Sequence, residues 1–192
     1  AEKMVIGRTD LYDGKLEILG KHNLYNARFV YEIAVRLYGC DGEAVRKSLE
    51  GFEALPHRLK YVGERGGIRF YDDSISTIPE AAISAADSIP DVQTLLIGGM
   101  DRGINYDILV DFIRKRKDLK FICMYASGKR IFDEAGEQQN CFYAGDLKEA
   151  VELAGKITER SKACVLSPAA ASYGYFKNFE ERGDVFCGYV LG

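Results

Sequence analysis

The sequence has 192 residues, 47% of them hydrophobic, and a formal charge of −3. That length and apolar content suffice for a real core in one large or two small domains. The acidic balance excludes bulk affinity for nucleic acid or an anionic membrane, leaving open only a locally basic site. Five cysteines, Cys40, Cys123, Cys141, Cys164 and Cys187, form an odd set without metal-type spacing, mostly in apolar runs. With no signal peptide and no long apolar stretch, they predict buried free thiols, a reducing cytoplasm and no membrane partner. A zinc site is not expected, since His22 and His57 are the only histidines.

In chain order, Met4-Val5-Ile6-Gly7, the Asp13-Gly14 turn and Lys15-Leu16-Glu17-Ile18-Leu19 predict a hairpin. A chain that opens on strand material reads as a piece of something longer. Apolar residues at helical spacing over 26–37, with Gly39 as a stop, predict a helix, and 43–52 a second. Before the first lies Gly20-Lys21-His22-Asn23-Leu24-Tyr25-Asn26, whose His and Asn residues can cap the helix or meet a ligand; capping is the commoner use. Leu55-Pro56-His57-Arg58 breaks the helical pattern and marks a domain boundary, giving units 1–54 and 55–192.

Alternating residues 59–62, the Gly66-Gly67 turn and residues 68–71 then predict a hairpin. Pro79 and Glu80 open a helix. From residue 78 onward helices over 81–89, 106–116, 130–135, 147–160 and 175–191 alternate with strands over 93–97, 120–125, 140–144 and 163–166. Continuous apolar strands between amphipathic helices indicate an α/β, doubly wound (Rossmann-like) parallel sheet covered on both faces. Ligands of such sheets bind at the carboxyl ends of the strands, here the loops after Ile97, Tyr125, Ala144 and Leu166.

Three stretches there carry chemistry-bearing residues. Phe70-Tyr71-Asp72-Asp73-Ser74-Ile75-Ser76-Thr77-Ile78-Pro79 crosses from strand to helix, where free amides and the helix dipole favour anions; plain capping explains the same residues. Gly98-Gly99-Met100-Asp101-Arg102-Gly103 combines close backbone approach with a guanidinium, yet is neither a GxGxxG nor a P-loop. Ser167-Pro168-Ala169-Ala170-Ala171-Ser172-Tyr173-Gly174-Tyr175-Phe176 pairs small residues and hydroxyls with aromatics, Phe176 reading as core packing. No Ser/His/Asp or Cys/His triad is suggested, because neither histidine lies where a strand-end nucleophile would need it.

Taken together and in order, Gly20-Lys21-His22-Asn23-Leu24-Tyr25-Asn26-Ala27, Leu55-Pro56-His57-Arg58, Asp73-Ser74, Gly98-Gly99 and residues 167–172 resemble the Mur ligases of peptidoglycan synthesis. Lys177-Asn178-Phe179-Glu180-Glu181-Arg182-Gly183 sharpens the resemblance to the glutamate-adding, MurD type. It implies that residues 1–54 end a central ATP-binding domain and that 55–192 form the carboxyl-terminal, amino-acid-binding domain. The family's P-loop and metal-site lysine precede this region, so the resemblance implies that this chain alone forms no amide bond.

The implied partners are ATP, Mg2+ held mostly by residues outside this chain, UDP-N-acetylmuramoyl-L-alanine and glutamate, with a monomer as the implied state. By resemblance Asn23 and Asn26 lie on the ATP side, His57 and Arg58 at the domain junction with Arg58 reaching the nucleotide, and Asp73 near the ribose. Residues 54–58 are the implied hinge. Thr77, Arg102, Ser172 and Phe179 match positions that hold glutamate. Many members read Asp-Ser-Lys-Ala-Thr-Asn where this chain reads Asp-Ser-Ile-Ser-Thr-Ile, so Ile75 removes an expected cation. D-glutamate is the expected substrate and L-glutamate the alternative. A folylpolyglutamate synthetase-like ligase and a non-catalytic nucleotide- or amino-acid-binding module are the competing classes.

Overall fold

The computed structural model describes residues 5–7 and 9–192. The chain divides into two compact units, 1–54 and 55–192. In the first unit, helix α1 (Lys21–Glu32) runs directly into a π-helical turn, Ile33–Leu37, and Gly39 at φ +66° ends it. Helix α2 (Gly42–Glu50) follows, its first turn capped by the Asp41 carboxylate, which accepts from the Ala44 amide.

The amino-terminal hairpin is not formed. Met4 and Arg8 lie outside the described residues, and the described residues among 5–19 make turns and bends without a strand. A two-stranded ribbon without a sheet to join is marginal in water. The segment instead folds around buried Tyr12, whose amide donates to the Leu24 carbonyl of α1. Helix α1 also starts five residues before the expected position, so Asn23 and Asn26 are helical and neither caps it.

In the second unit, β1 (Lys60–Arg65) and β2 (Ile68–Asp72) form the expected hairpin, antiparallel with a bulge between Tyr61 and Gly63. There follow α3 (Pro79–Ser88), β3 (Val92–Ile97), α4 (Asp107–Lys115), β4 (Lys120–Met124), α5 (Tyr125–Ala135), β5 (Cys141–Ala144), α6 (Leu147–Ile157), β6 (Ala163–Leu166) and α7 (Phe179–Leu191). The strand order is β1-β2-β6-β3-β4-β5, and every pair except β1–β2 is parallel. A doubly wound sheet with one antiparallel edge strand is therefore the architecture. Helices α3, α4 and α5 cover one face and α6 and α7 the other, as right-handed crossovers in both directions require.

The alternation of side chains fixes which residues meet which layer. Leu96, Ile122, Met124, Cys164 and Leu166 pack with Leu147, Ala150, Val151 and Ala154 of α6 and Phe186 and Val190 of α7. Their strand neighbours Leu95, Ile97, Phe121, Cys123 and Val165, also buried, point to the opposite face. Phe176 packs against the α6–α7 layer, as read from sequence. All five cysteines are free thiols; Cys123, Cys141 and Cys164 are buried, Cys187 is half-buried and Cys40 is exposed, so burial fails for Cys40, which follows the end of the first unit's π-turn. No helix among the described residues is long and apolar enough to cross a membrane.

Two helices of the second unit, α5 and α7, also start several residues from their expected positions. Helix α5 begins at Tyr125, with no intervening loop, because Tyr125 takes φ +62° and turns the chain immediately after β4. Helix α7 begins at Phe179, where Asn178 accepts from the Glu181 amide and sets the first turn. Residues 172–178 are left as an irregular bend at the carboxyl edge of the sheet.

Candidate functional site

The parallel strands bring their carboxyl ends to one edge of the sheet, and the loops there are tied to one another by named bonds. Gly98 donates to the Pro168 carbonyl at 2.7 Å, and Met100 to the Ala171 carbonyl at 2.8 Å. Ser127 at the start of α5 closes the third side, its amide donating to Gly99 O and its hydroxyl accepting from Gly99 N. Such closeness demands glycine: a Cβ at Gly98 lies 2.0 Å from the Met124 carbonyl, and at Gly99 2.4 Å from the Ala171 carbonyl. The connections from β3 and β6 leave in opposite directions, which makes the crevice between them the topological switch point. In this molecule the backbones of the two loops meet across that crevice through the Gly98–Pro168 and Met100–Ala171 bonds.

The buried charges lie beside it. Arg182 of α7 is fully buried and donates to the Ser74 hydroxyl (2.9 Å), the Ser74 carbonyl (2.7 Å) and the Ala170 carbonyl (3.0 Å). One side chain thus fastens the loop after β2 to the loop after β6. Burial pulls its pKa down to about 10, with the charges of Asp72 and Tyr125 acting the other way. Asp73 accepts from the Ser167 hydroxyl (2.7 Å) and the Leu59 amide (3.3 Å). Burial pushes its pKa up to about 6, against the pull of Ser76, Ser167, the Leu59 amide and Arg58.

His57 and Asp72 make a second cluster. The His57 Nδ1 lies 2.6 Å from Asp72 Oδ2, and Asp72 Oδ1 accepts from the Ser74 amide at 2.9 Å. His57 holds φ +60°, and its carbonyl accepts from the Ile75 amide. The Phe179 ring meets the imidazole edge-on, with centroids 6.2 Å apart. Left-handed backbone at His57, Tyr125 and Ala169, none of them glycine, is a local strain that the surrounding bonds hold in place.

In the loop after β3, the exposed Arg102 donates to the Thr77 carbonyl at 3.1 Å, which brings these two residues together. Its neighbour Asp101 is taken by Arg130 through two bonds of 2.8 Å, which hold the Asp101 carboxyl below the usual carboxylate range. Arg130 is thereby ion-paired, while among the described residues Arg102 meets a carbonyl. Ser172 is buried next to the Ala170–Ala171 clamp, and Phe179 begins α7 with its carbonyl accepting from the Ser74 hydroxyl. Ile75 is half-buried, and Arg58 is exposed.

In the first unit, Asn23 and the exposed Asn26 share one face of α1 at i, i+3, Asn23 donating back to the Leu19 carbonyl at 2.6 Å. A cleft of about 460 Å³ nearby is lined by Thr9, Leu11, Lys21, His22 and Tyr25. No group of three His, Cys, Asp or Glu side chains able to hold a metal ion occurs among the described residues. In the sequence, Asp72 stands only within the strand-to-helix stretch and Arg182 only within the Lys177–Gly183 motif, and the Asp101–Arg130 pair is not marked at all. Arg182 carried a signal, since a lone arginine in a helix with a small neighbour, Gly183, fits a buried face. Asp72 and Arg130 carried none that separates them from surface charges.

No family model matches the chain. Among curated proteins, the UDP-N-acetylmuramoylalanine–D-glutamate ligase of Caldanaerobacter subterraneus is 36% identical over 188 residues, covering 96% of this chain and 40% of that protein. This chain is a relative of the MurD-type ligases. A UDP-N-acetylmuramoyl-L-alanine–L-glutamate ligase of Salinispora tropica is 37% identical over 178 residues, with 89% of this chain and 39% of that protein covered. The chain therefore spans about two fifths of the length of the curated MurD-type relatives it matches. A solved ligase of Acinetobacter baumannii, named for joining D-alanyl-D-alanine to UDP-N-acetylmuramoylalanyl-D-glutamyl-2,6-diaminopimelate, shares the Mur ligase fold. Its TM-score is 0.69 at 17% identity, over 92% of this chain and 38% of that one.

Proposed function

We propose that this chain is the carboxyl-terminal part of an ATP-dependent ligase that adds glutamate to UDP-N-acetylmuramoyl-L-alanine in peptidoglycan synthesis, working in the cytoplasm as a monomer. The observation that carries the reading is the similarity to glutamate-adding Mur ligases over 96% of the chain. In it residues 1–54 belong to the ATP-binding domain and 55–192 to the amino-acid-binding domain. ATP, when bound, supplies the phosphoryl group that activates the alanine carboxylate, and the glutamate amine attacks the resulting acyl phosphate.

The chain's own residues then bind and align. Asn26, exposed on α1, offers an amide to the adenine edge, with Asn23 bracing the same face. Arg58 offers a guanidinium to the nucleotide, beside His57. Asp73, whose oxygens are engaged by Ser167 and Leu59, holds the loop on the ribose side. Thr77, Arg102, Ser172 and Phe179 receive glutamate, with Arg102 as the cation for its carboxylate. Mg2+ is assigned mostly to ligands outside this chain, where it would neutralise phosphate charge. The apolar face that α1 and its π-turn leave exposed, Val30, Ile33 and Leu37, fits a helix that belongs to a larger domain.

The full-length enzyme should release phosphate only when ATP, UDP-N-acetylmuramoyl-L-alanine and glutamate are all present, and the 192-residue chain alone should not. Assays with both enantiomers decide stereochemistry, which Ile75 leaves to Arg102. Preference for a neutral amino acid sinks both versions, and acceptance of a folate in place of the muramoyl substrate would favour the folylpolyglutamate class.

A further inference from the structure

Asp72 is fully buried. A bare carboxylate in such a place needs every lone pair engaged. Its Oδ1 is occupied by the Ser74 amide, and its Oδ2 faces the His57 Nδ1 at 2.6 Å, with the Cys187 thiol more distant at 3.8 Å. An ionised carboxylate only accepts hydrogen bonds, so the imidazole nitrogen facing it must carry the proton. The remaining nitrogen, Nε2, points away from the core toward exposed Asp184, whose Oδ1 lies 3.9 Å off.

The imidazole has no room to turn. Gly183 packs so closely that a Cβ there lies 2.2 Å from His57 Nδ1 and 2.7 Å from Asp72 Oδ2. Phe179 closes another side, and the His57 backbone is held at positive φ by its bond to Ile75. The charged and titratable groups around the pair are Asp184 and Arg182 from α7, Cys187 from the same helix, and Lys60 from β1 near that thiol.

We propose that Asp72 is a positioning residue that holds His57 with its proton on Nδ1 and so presents Nε2 as the working nitrogen of the ligase site. The proposal rests on the ligase reading only for the work that Nε2 does; the tautomer rests on the 2.6 Å contact of Nδ1 with Asp72 acting as an ionised acceptor. In the enzyme, Nε2 then accepts a hydrogen bond when neutral and donates one when protonated. Loss of the orienting carboxylate lets the proton move to Nε2 and reverses that role.

With only two histidines in the chain, nitrogen-15 NMR of the imidazoles is readable, and His22→Gln assigns the signals. Followed through the titration, neutral His57 in the wild-type chain should be the Nδ1–H tautomer. In Asp72→Asn, where the Ser74 amide keeps Oδ1 and an amide NH2 replaces Oδ2, His57 should change to the Nε2–H tautomer. A wild-type His57 protonated on Nε2, or one unchanged in Asp72→Asn, overturns the proposal. The wild-type spectrum decides even where the variant fails to fold. In full-length enzyme, Asp72→Asn should lower kcat by about tenfold or more with little change in KM, on the scale of losing a histidine's orienting partner. Its pH profile should shift as well. An inactive full-length ligase with the expected tautomers defeats the functional reading and leaves the positioning intact.

Discussion

Asp73 is a carboxyl whose folded pKa, about 6, lies above its ordinary 3.8 because burial penalises the charged form. The folded chain therefore binds this proton more tightly than the unfolded chain does. The contribution to stability is fully present below about pH 4 and is lost as pH rises through about 6. Between pH 7 and pH 5, unfolding free energy from urea titrations should rise by roughly 1 kcal/mol, and Asp73→Asn should flatten the rise. Asp101 and Asp118, held low by Arg130 and Arg116, act in the opposite sense and only below that window. The presence of Asp73 at a strand end was legible in the sequence. Its burial was not, because a polar Asp-Asp-Ser run reads as surface until the loop after β6 is laid over it.

At the scale of elements, turn chemistry was the most legible feature. The Gly66-Gly67 hairpin, the Pro79 helix start and the apolar strands β3, β4 and β6 follow from residues close in sequence. The hairpin expected over residues 4–19 fails on the same chemistry, since a turn makes a hairpin only where a sheet receives it. The starts of α1 and α5 were read late, because Lys21, His22 and Asn23, like Ala126, Ser127 and Gly128, break the apolar periodicity that marks a helix. Gly98 separates local from tertiary causes most sharply. Its φ of +116° and the Met124 carbonyl, 2.0 Å from where a Cβ would stand, leave no space for a side chain. Gly98→Ala should cost at least about 2 kcal/mol in denaturant unfolding. Gly155→Ala, which meets nothing within 4 Å, should be neutral or slightly stabilising.

For the whole molecule, the division of the core sets the expectation. Among the described residues, all six strands and nearly all buried side chains lie in residues 55–192, and in the first unit only Tyr12, Ala27 and Glu32 are buried. A unit of that size with so small a core does not fold alone. Residues 55–192 expressed separately should keep a single cooperative thermal transition by circular dichroism, and residues 1–54 should show none. A featureless melt from the larger piece would overturn this division.

The sequence by itself determined the α/β alternation, the parallel sheet and the order of the Mur-type motifs, because each depends on periodicity or on residues a few positions apart. Only the tertiary structure decided which side chains share the carboxyl edge. Arg182 clamps Ser74 and Ala170, and Asp72 takes His57, across separations of 108, 12 and 15 residues. Whether a charge is buried there depends on which loop covers it, and no local pattern encodes that.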